Sequence, residues 1–390
     1  MANTLVAVSH TSLRSPEAAG QSLAQSLLQK LDGARPDVLI VFASPEIDFR
    51  PLLSELDTAC RPGVLVGCSS AGEFSGCTTG HASVSVMAIR ADDILFRAGL
   101  GTGLRSNLGA ALDEVMPVFS GSAHPDFPYR NALVLTDALA GYVDEIIHDM
   151  MVRTGGTYQL FGGGAADDAK FQKTHVFIGT EEHTDALVVL EMLSKKPIGL
   201  GVRHGWQPGG PALRVTEAEG TCLVSLNAMP AAEAFEEHAL ATGQVFNRAD
   251  PLPFFLHNVI GIETGDGYKL RVPLTLNEDG SISCAAEVPV GATVHIMVAS
   301  MASACEAASQ ASQAALAGLE GGEHAGSLLF DCAATRMRLG REFGDELDAV
   351  AEALGSENFA GCNTYGQIAR SAGQFSGFHN CTAIVCAIPL

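Results

Sequence analysis

The sequence predicts an α/β protein: repeated β-α-β-α-β-(Gly turn)-β units forming mixed, largely parallel sheets covered by helices, with a mostly antiparallel insertion. Three observations predict it. Short apolar runs alternate with segments whose apolar residues recur at helical spacing. The same order of elements returns three times along the chain. Apolar residues make up 47% of the 390 residues and charged residues only 17%. About 25% charged is usual in soluble domains, so much of the sheet surface is expected to be covered on both faces.

The first pass opens with strand 4–9 (TLVAVS) and a helix over 16–31, whose apolar residues fall on one face. Strand 37–43 (DVLIVFA) follows, then a helix over about 50–59, VLVGCSSAGEF at 64–74 as a strand running into a glycine turn, and strand 83–90. The second pass reads ILFRAGL, a helix near 106–118, strand 131–136 (NALVLT), a helix at 142–153, YQLFGGGAADD at 158–168, and strands near 175–178 and 186–191. The third opens with TVHIMVAS at 293–300 and the Ala-rich helix 301–319. SLLFDCA, a helix near 341–354, FAGCNTYGQI at 359–368 and CTAIVCAI complete it.

Residues 197–290 differ. β-branched residues and turn residues dominate them, one helix near 231–241 interrupts them, and QPGGP (207–211) and NEDGS (277–281) mark turns. The chain is therefore expected to divide into 1–196, holding two repeat units, and 197–390, with the insertion 197–290 ahead of the third unit 291–390.

Each pass places a glycine after an apolar strand: Gly67, Gly162 and Gly361. Two of these turns agree over eight residues, GCSSAGEF (67–74) and GCNTYGQI (361–368). In α/β proteins such turns gather at the carboxyl ends of strands, where ligands bind. The plainer reading, a tight turn with positive φ, does not by itself require the Glu or Gln that follows.

Composition excludes several classes. Lys and Arg number 23 against 44 Asp and Glu, a net charge of −21 with only six lysines, which rules out a phosphate-backbone or polybasic membrane surface. No apolar stretch approaches the about 18–20 residues of a membrane span, and the N-terminus lacks a basic region and long apolar run, so no signal peptide is expected. Ten cysteines without a CxxC read as reduced thiols in a cytoplasm.

Chemistry-bearing motifs are few. FGGGAADD has the glycine density of a phosphate cradle but is followed by Asp167 and Asp168 instead of Lys or Ser/Thr; these aspartates either cap the next segment or hold a ligand amino group. Ser69 and Ser70 lack the flanking glycines of a hydrolase elbow. Cys68 and Cys362 occupy matching positions and read better as small packed residues than as activated thiols. There is no HExxH and no zinc-type Cys/His spacing. Three of the twelve histidines stand in apolar settings: His204 in GVRHGW, His295 in TVHIMVAS and His257 after PFFL. A haem needs one neutral imidazole in such a slot, and without CxxCH any haem b is non-covalent.

VGCSSAGEF, FGGGAADD, GVRHGWQPGG…VTEAEG, FNRADPLPFFLH, LLFDCAATRMRLG and FAGCNTYGQIA…FHNCTAIVCA, in that order, resemble the FIST family over essentially the whole chain, FIST N-terminal domain then FIST C-terminal domain. The resemblance implies an intracellular sensory module for a small ligand, often an amino acid, linked to signalling partners such as histidine kinases. Some stand-alone bacterial members are haem proteins that sense nitric oxide. Where many relatives carry Glu in a closing TYGE, this chain has Gln367, one charge fewer at a candidate ligand site.

Two classes follow. The favoured one is a non-enzymatic sensor regulating a partner such as a histidine kinase, through haem and nitric oxide first, with an amino-acid-like metabolite as the alternative. The other is an enzyme using Cys68 or a Glu73/Asp167 acid–base pair, but no nucleophile–base–orienter set assembles from the motifs. For haem iron the candidates are His204, then His295 and His257. For a polar ligand they are Ser69, Ser70, Glu73, Asp167, Asn363, Thr364, Tyr365 and Gln367. No catalytic residue, nucleic acid or membrane is expected, and the sequence leaves the oligomeric state open, a homodimer included.

Overall fold

The computed structural model describes residues 4–265, 267–370 and 377–390. Strand Val38–Ala43 shows how its core is built. All six residues are buried, because both faces of the strand are covered. Val38, Ile40 and Phe42 point to a central core, while Leu39, Val41 and Ala43 meet helices Pro16–Lys30 and Phe49–Cys60. The first of these helices starts at Ser15, whose hydroxyl accepts the Ala18 N–H, with proline at its first turn.

This pattern repeats three times, giving three six-stranded sheets. The first is ordered Leu5–Thr11, Val84–Arg90, Val38–Ala43, Val64–Ser69, then the hairpin Val176–Ile178/Glu181–His183. The second runs Ile94–Thr102, Ala186–Ser194, Tyr129–Asp137, Gln159–Ala165, then the hairpin Gln367–Arg370/Gly377–His379. The third runs Gly199–Arg203, Ala383–Pro389, His324–Cys332, Phe359–Thr364, then the hairpin Glu73–Ser75/Thr78–Thr79. Each sheet is mixed, as expected, but antiparallel pairs outnumber parallel ones, against the largely parallel arrangement expected. Its one parallel pair joins the two strands linked by a helical crossover, and the other pairings are antiparallel.

Each unit thus lends its hairpin to another unit's sheet: the first to the third, the second to the first, the third to the second. The inner faces of all three sheets share one core, in which Phe330 meets Phe42 edge-on at 5.6 Å and Phe161 at 6.3 Å. Each outer face carries its own helices.

The three repeat glycines sit where a parallel neighbour's carbonyl crowds the strand. A Cβ on Gly67, Gly162 or Gly361 would lie 1.9, 2.1 and 1.8 Å from the carbonyl oxygens of Val41, Val134 and Leu329. Close approach, more than turn geometry, is what they provide; of the three only Gly162 has a positive φ, 136°.

One strand assignment changes. Thr293–Val298, read as the opening strand of the third pass, pairs instead inside a separate antiparallel sheet of nine strands with Val259–Thr264 and Leu213–Glu219. The third unit's first strand is Gly199–Arg203, which pairs with Ala383–Pro389. Its glycines placed it with the turn-rich residues 197–290 of the insertion. They lie against helix Met301–Ala317, where Cβ atoms on Gly199 and Gly201 would come within 1.7 and 1.8 Å of the Ala315 and Ala311 carbonyl oxygens. The nine-stranded sheet is therefore inserted after the unit's first strand. Asp144 clasps it to the body through Arg271 at 2.9 Å and Lys269 at 2.8 Å. Burial pushes the Asp144 carboxyl up, but these two cations together hold it below its ordinary range. Among the described residues, no helix is long and apolar enough to cross a membrane.

Candidate functional site

The three turns meet at one end of the shared core and close a ring of backbone hydrogen bonds. The Ala71 N–H donates to the Asn363 carbonyl at 2.9 Å and the Asn363 N–H to Gly72 at 2.8 Å. The Ala166 N–H donates to Ser69 at 2.9 Å, the Tyr365 N–H to Gly164 at 2.9 Å, and the Gly164 N–H to Gly366 at 3.0 Å. The ring brings Ser69, Ser70, Glu73, Asp167, Asn363, Thr364, Tyr365 and Gln367 to one end of the molecule. All but Tyr365 are buried.

Most of these side chains are spent on one another. The Ser69 hydroxyl accepts the His175 N–H at 2.9 Å. Asp167 accepts the N–H groups of Phe171, Gln172 and Lys173 at 2.7–2.8 Å and the Tyr365 hydroxyl at 2.5 Å, so it organises the loop that follows. The Gln367 amide donates to Thr364 at 2.9 Å and accepts the Thr382 N–H at 3.3 Å. These residues hold the turns in shape.

The exception is Glu73. Ser70 donates to one of its oxygens and Ser83 to the other at 2.6 Å, and the buried residue also lines a cleft of about 410 Å³. Burial raises its pKa to about 7, against the opposing hydrogen bonds from Ser70 and Ser83. Across the cleft stand Arg336, on the short helix Ala333–Leu339, and Asp168. Arg336 donates to the Gly80 carbonyl at 2.8 Å, Asn363 Oδ1 at 3.2 Å and Thr79 Oγ1 at 3.3 Å, all neutral acceptors. No carboxylate among the described residues pairs with it. Gly72 makes room for the guanidinium, since a Cβ there would lie 1.9 Å from Arg336 Nη1. Asp168 accepts the Ser44 hydroxyl at 3.0 Å, and burial raises its carboxyl above the ordinary range.

An apolar cavity of about 310 Å³ adjoins the cleft, and both are walled by Ala333 and Met337. Its other walls come from the second unit (Tyr142, Val143), the inserted sheet (Val272, Leu274) and the third unit (Cys332, Phe378). Phe171 stacks on Tyr365 at 4.6 Å at its edge.

The three histidines do not fit a haem. His204 lies 3.0 Å from the Tyr268 carbonyl through Nε2, and its Nδ1 accepts the Trp206 N–H at 3.3 Å, so backbone groups engage both ring nitrogens. Burial lowers its pKa, and the space beside it is about 10 Å³, room for a single water at most. His295 packs edge-on against Tyr268 at 5.5 Å, and His257 is exposed. No histidine lines the apolar cavity. Among the described residues, no three His, Cys, Asp or Glu side chains are placed to hold a metal ion.

Sequence reasoning missed Arg336 and the cavity. The stretch AATRMRL enters the sequence reading only within the motif LLFDCAATRMRLG, with no role for its arginine. Its signal was an arginine directly beyond the carboxyl end of a strand, the position at which α/β folds place ligands.

Residues 37–229 match the family model described as the FIST N domain, and residues 231–370 match the FIST C domain. No curated protein matches the chain in sequence. Among solved structures, cyanuric acid hydrolase from A. caulinodans is similar over 99% of both chains at 8% identity and a TM-score of 0.33. PurL from T. maritima complexed with ADP is similar over 98% of this chain and 71% of that one, at 11% identity and a TM-score of 0.23. Likenesses this distant carry no inference about chemistry.

Proposed function

Because the chain belongs to the FIST family, whose domains are associated with sensory and signalling roles, we propose that it senses a small amino-acid-like metabolite bound across the charged cleft and the apolar cavity. One observation carries this reading: Arg336 faces the cleft without a carboxylate partner while Glu73 and Asp168 stand opposite. A ligand carboxylate completes the guanidinium. Its ammonium group pairs with Asp168, and its side chain enters the apolar cavity.

The walls of that cavity belong to the second unit, the third unit and the inserted sheet. A ligand touching all three favours one arrangement of the insertion on the body, and a partner such as a histidine kinase reads that arrangement. Haem with nitric oxide is the less favoured form of the sensor reading, given the engaged ring nitrogens of His204.

The test is a thermal-shift and calorimetric screen of amino acids beside matched simple amines and carboxylic acids. Zwitterions with apolar side chains are expected to raise the melting temperature, and Arg336→Ala to abolish the response. Equal stabilisation by acids lacking the amine, or no response at all, overturns the assignment. Stoichiometric haemin uptake with a Soret band that His204→Ala removes restores the haem reading.

A further inference from the structure

Cys332 ends strand His324–Cys332 and forms part of the wall of the 310 Å³ cavity. Cys381, in the loop before strand Ala383–Pro389, lies against it, and the two thiols hydrogen-bond each other within a cluster that includes Trp206, Val272 and Leu270. The backbone N–H groups of Cys381 and Ala334 also point at the Cys332 sulfur. All ten cysteines are free thiols. Cys68 and Cys362 also adjoin, but within the shared core. The Cys332 site joins a thiol pair to the wall of a cavity.

We propose that Cys332 and Cys381 are an oxidisable dithiol, with Cys332 attacking an organic hydroperoxide admitted to the apolar cavity and Cys381 resolving the product. The Cys332 thiolate attacks the terminal peroxide oxygen. The O–O bond breaks, the alkoxide takes up a proton and leaves as an alcohol, and sulfur is oxidised to a sulfenic acid. The Cys381 thiol then attacks that sulfur, forming the disulfide and releasing water, so two electrons pass from the thiol pair to the peroxide.

The electrostatics agree with this division of labour. The hydrogen bonds from the Cys381 thiol and from the Cys381 and Ala334 amides bring Cys332 down to about 7, against burial and the neighbouring Asp331. Cys381, as donor in that pair and buried, is pushed well up. The cavity walls are mostly apolar side chains, which favours an alkyl or aryl hydroperoxide over hydrogen peroxide itself.

The experiment treats the reduced full chain with cumene hydroperoxide or hydrogen peroxide and follows thiol loss and peptide masses. The expected result is a Cys332–Cys381 disulfide, formed roughly tenfold faster with cumene hydroperoxide. Cys381→Ser should stop at a sulfenic acid on Cys332 that dimedone traps. Cys332→Ser should lose the fast phase while its circular dichroism and melting transition stay those of the wild type. A disulfide elsewhere, or fast oxidation surviving in Cys332→Ser, overturns the proposal. Faster reaction with hydrogen peroxide overturns the assignment of the oxidant. Because the wild-type peptide map involves no substitution, the test stands even if a variant fails to fold.

Discussion

The first and third turns occupy the same register and are filled differently. Glu73 lies opposite Cys362 and Gln367 opposite Gly163, each at the start of a hairpin lent to another unit's sheet. Each bonds a hydroxyl three residues earlier, Ser70 or Thr364. The socket beyond differs. Gln367 is enclosed between Thr364 and the Thr382 amide, whereas Glu73 borders the cleft that Arg336 faces. An amide suffices where the surroundings are neutral and closed; a titrating carboxyl stands where a cation and open space lie beyond. In the second unit the link is longer, and the apolar Val176 takes the matching place opposite Cys68.

Five substitutions press on this comparison. The largest effect is expected where the units are alike. Gly67→Ala and Gly361→Ala each drive a Cβ to within 1.9 and 1.8 Å of a neighbouring carbonyl, at a cost of about 3 kcal/mol or more in denaturant unfolding. A mild effect at only one of them would break the equivalence.

Glu73→Gln, which gives the first turn the third turn's residue, comes next. The folded pKa of Glu73, about 7, exceeds the ordinary 4.5, so its protonated form stabilises the fold. That contribution is complete below pH 4.5 and is lost as pH rises through about 7. The variant should match the wild type near pH 4.5 and be more stable, by up to about 3 kcal/mol, at pH 8. Equal stability at both pH values would show that Glu73 titrates normally.

The reverse exchange, Gln367→Glu, puts a carboxyl where no guanidinium stands. It should cost about 2 kcal/mol at pH 8 and little at acid pH, read from the difference between two urea transitions. Arg336→Met should change stability least, by under about 1 kcal/mol. It should move the Glu73 titration upward, because the guanidinium is the opposing charge nearest that carboxyl. An unmoved carboxyl band in pH-dependent infrared spectra would show that the two do not communicate.

The repeat was legible in the sequence because burial on both faces leaves unbroken apolar strands such as VLIVFA, and because backbone crowding at the parallel pair admits only glycine. Strand Gly199–Arg203 was not, since the close helix that makes it a core strand also demands the glycines that group it with the turn-rich insertion. The fold gathers the polar residues of the turns at one place, but sequence could not tell side chains that bond each other from side chains that border a cleft. Asp167 and Asp168 are adjacent, yet one ties a loop and the other opens on the cleft. Arg336 was hidden for a further reason: its partners, Thr79, Gly80 and Asn363, come from the far ends of the chain and meet only through topology.

The circular lending of hairpins has a consequence for biogenesis. The third sheet pairs Glu73–Ser75, near the amino end, with Phe359–Thr364. The second waits for Gln367–Arg370 to cover Gln159–Ala165. Until residues 359–370 have been synthesised, the hairpin Glu73–Ser75/Thr78–Thr79 and the edge of Gln159–Ala165 therefore lack their partner strands. Such long-range closure is slow, so the unpaired edges stay exposed longer than in a chain whose units close locally.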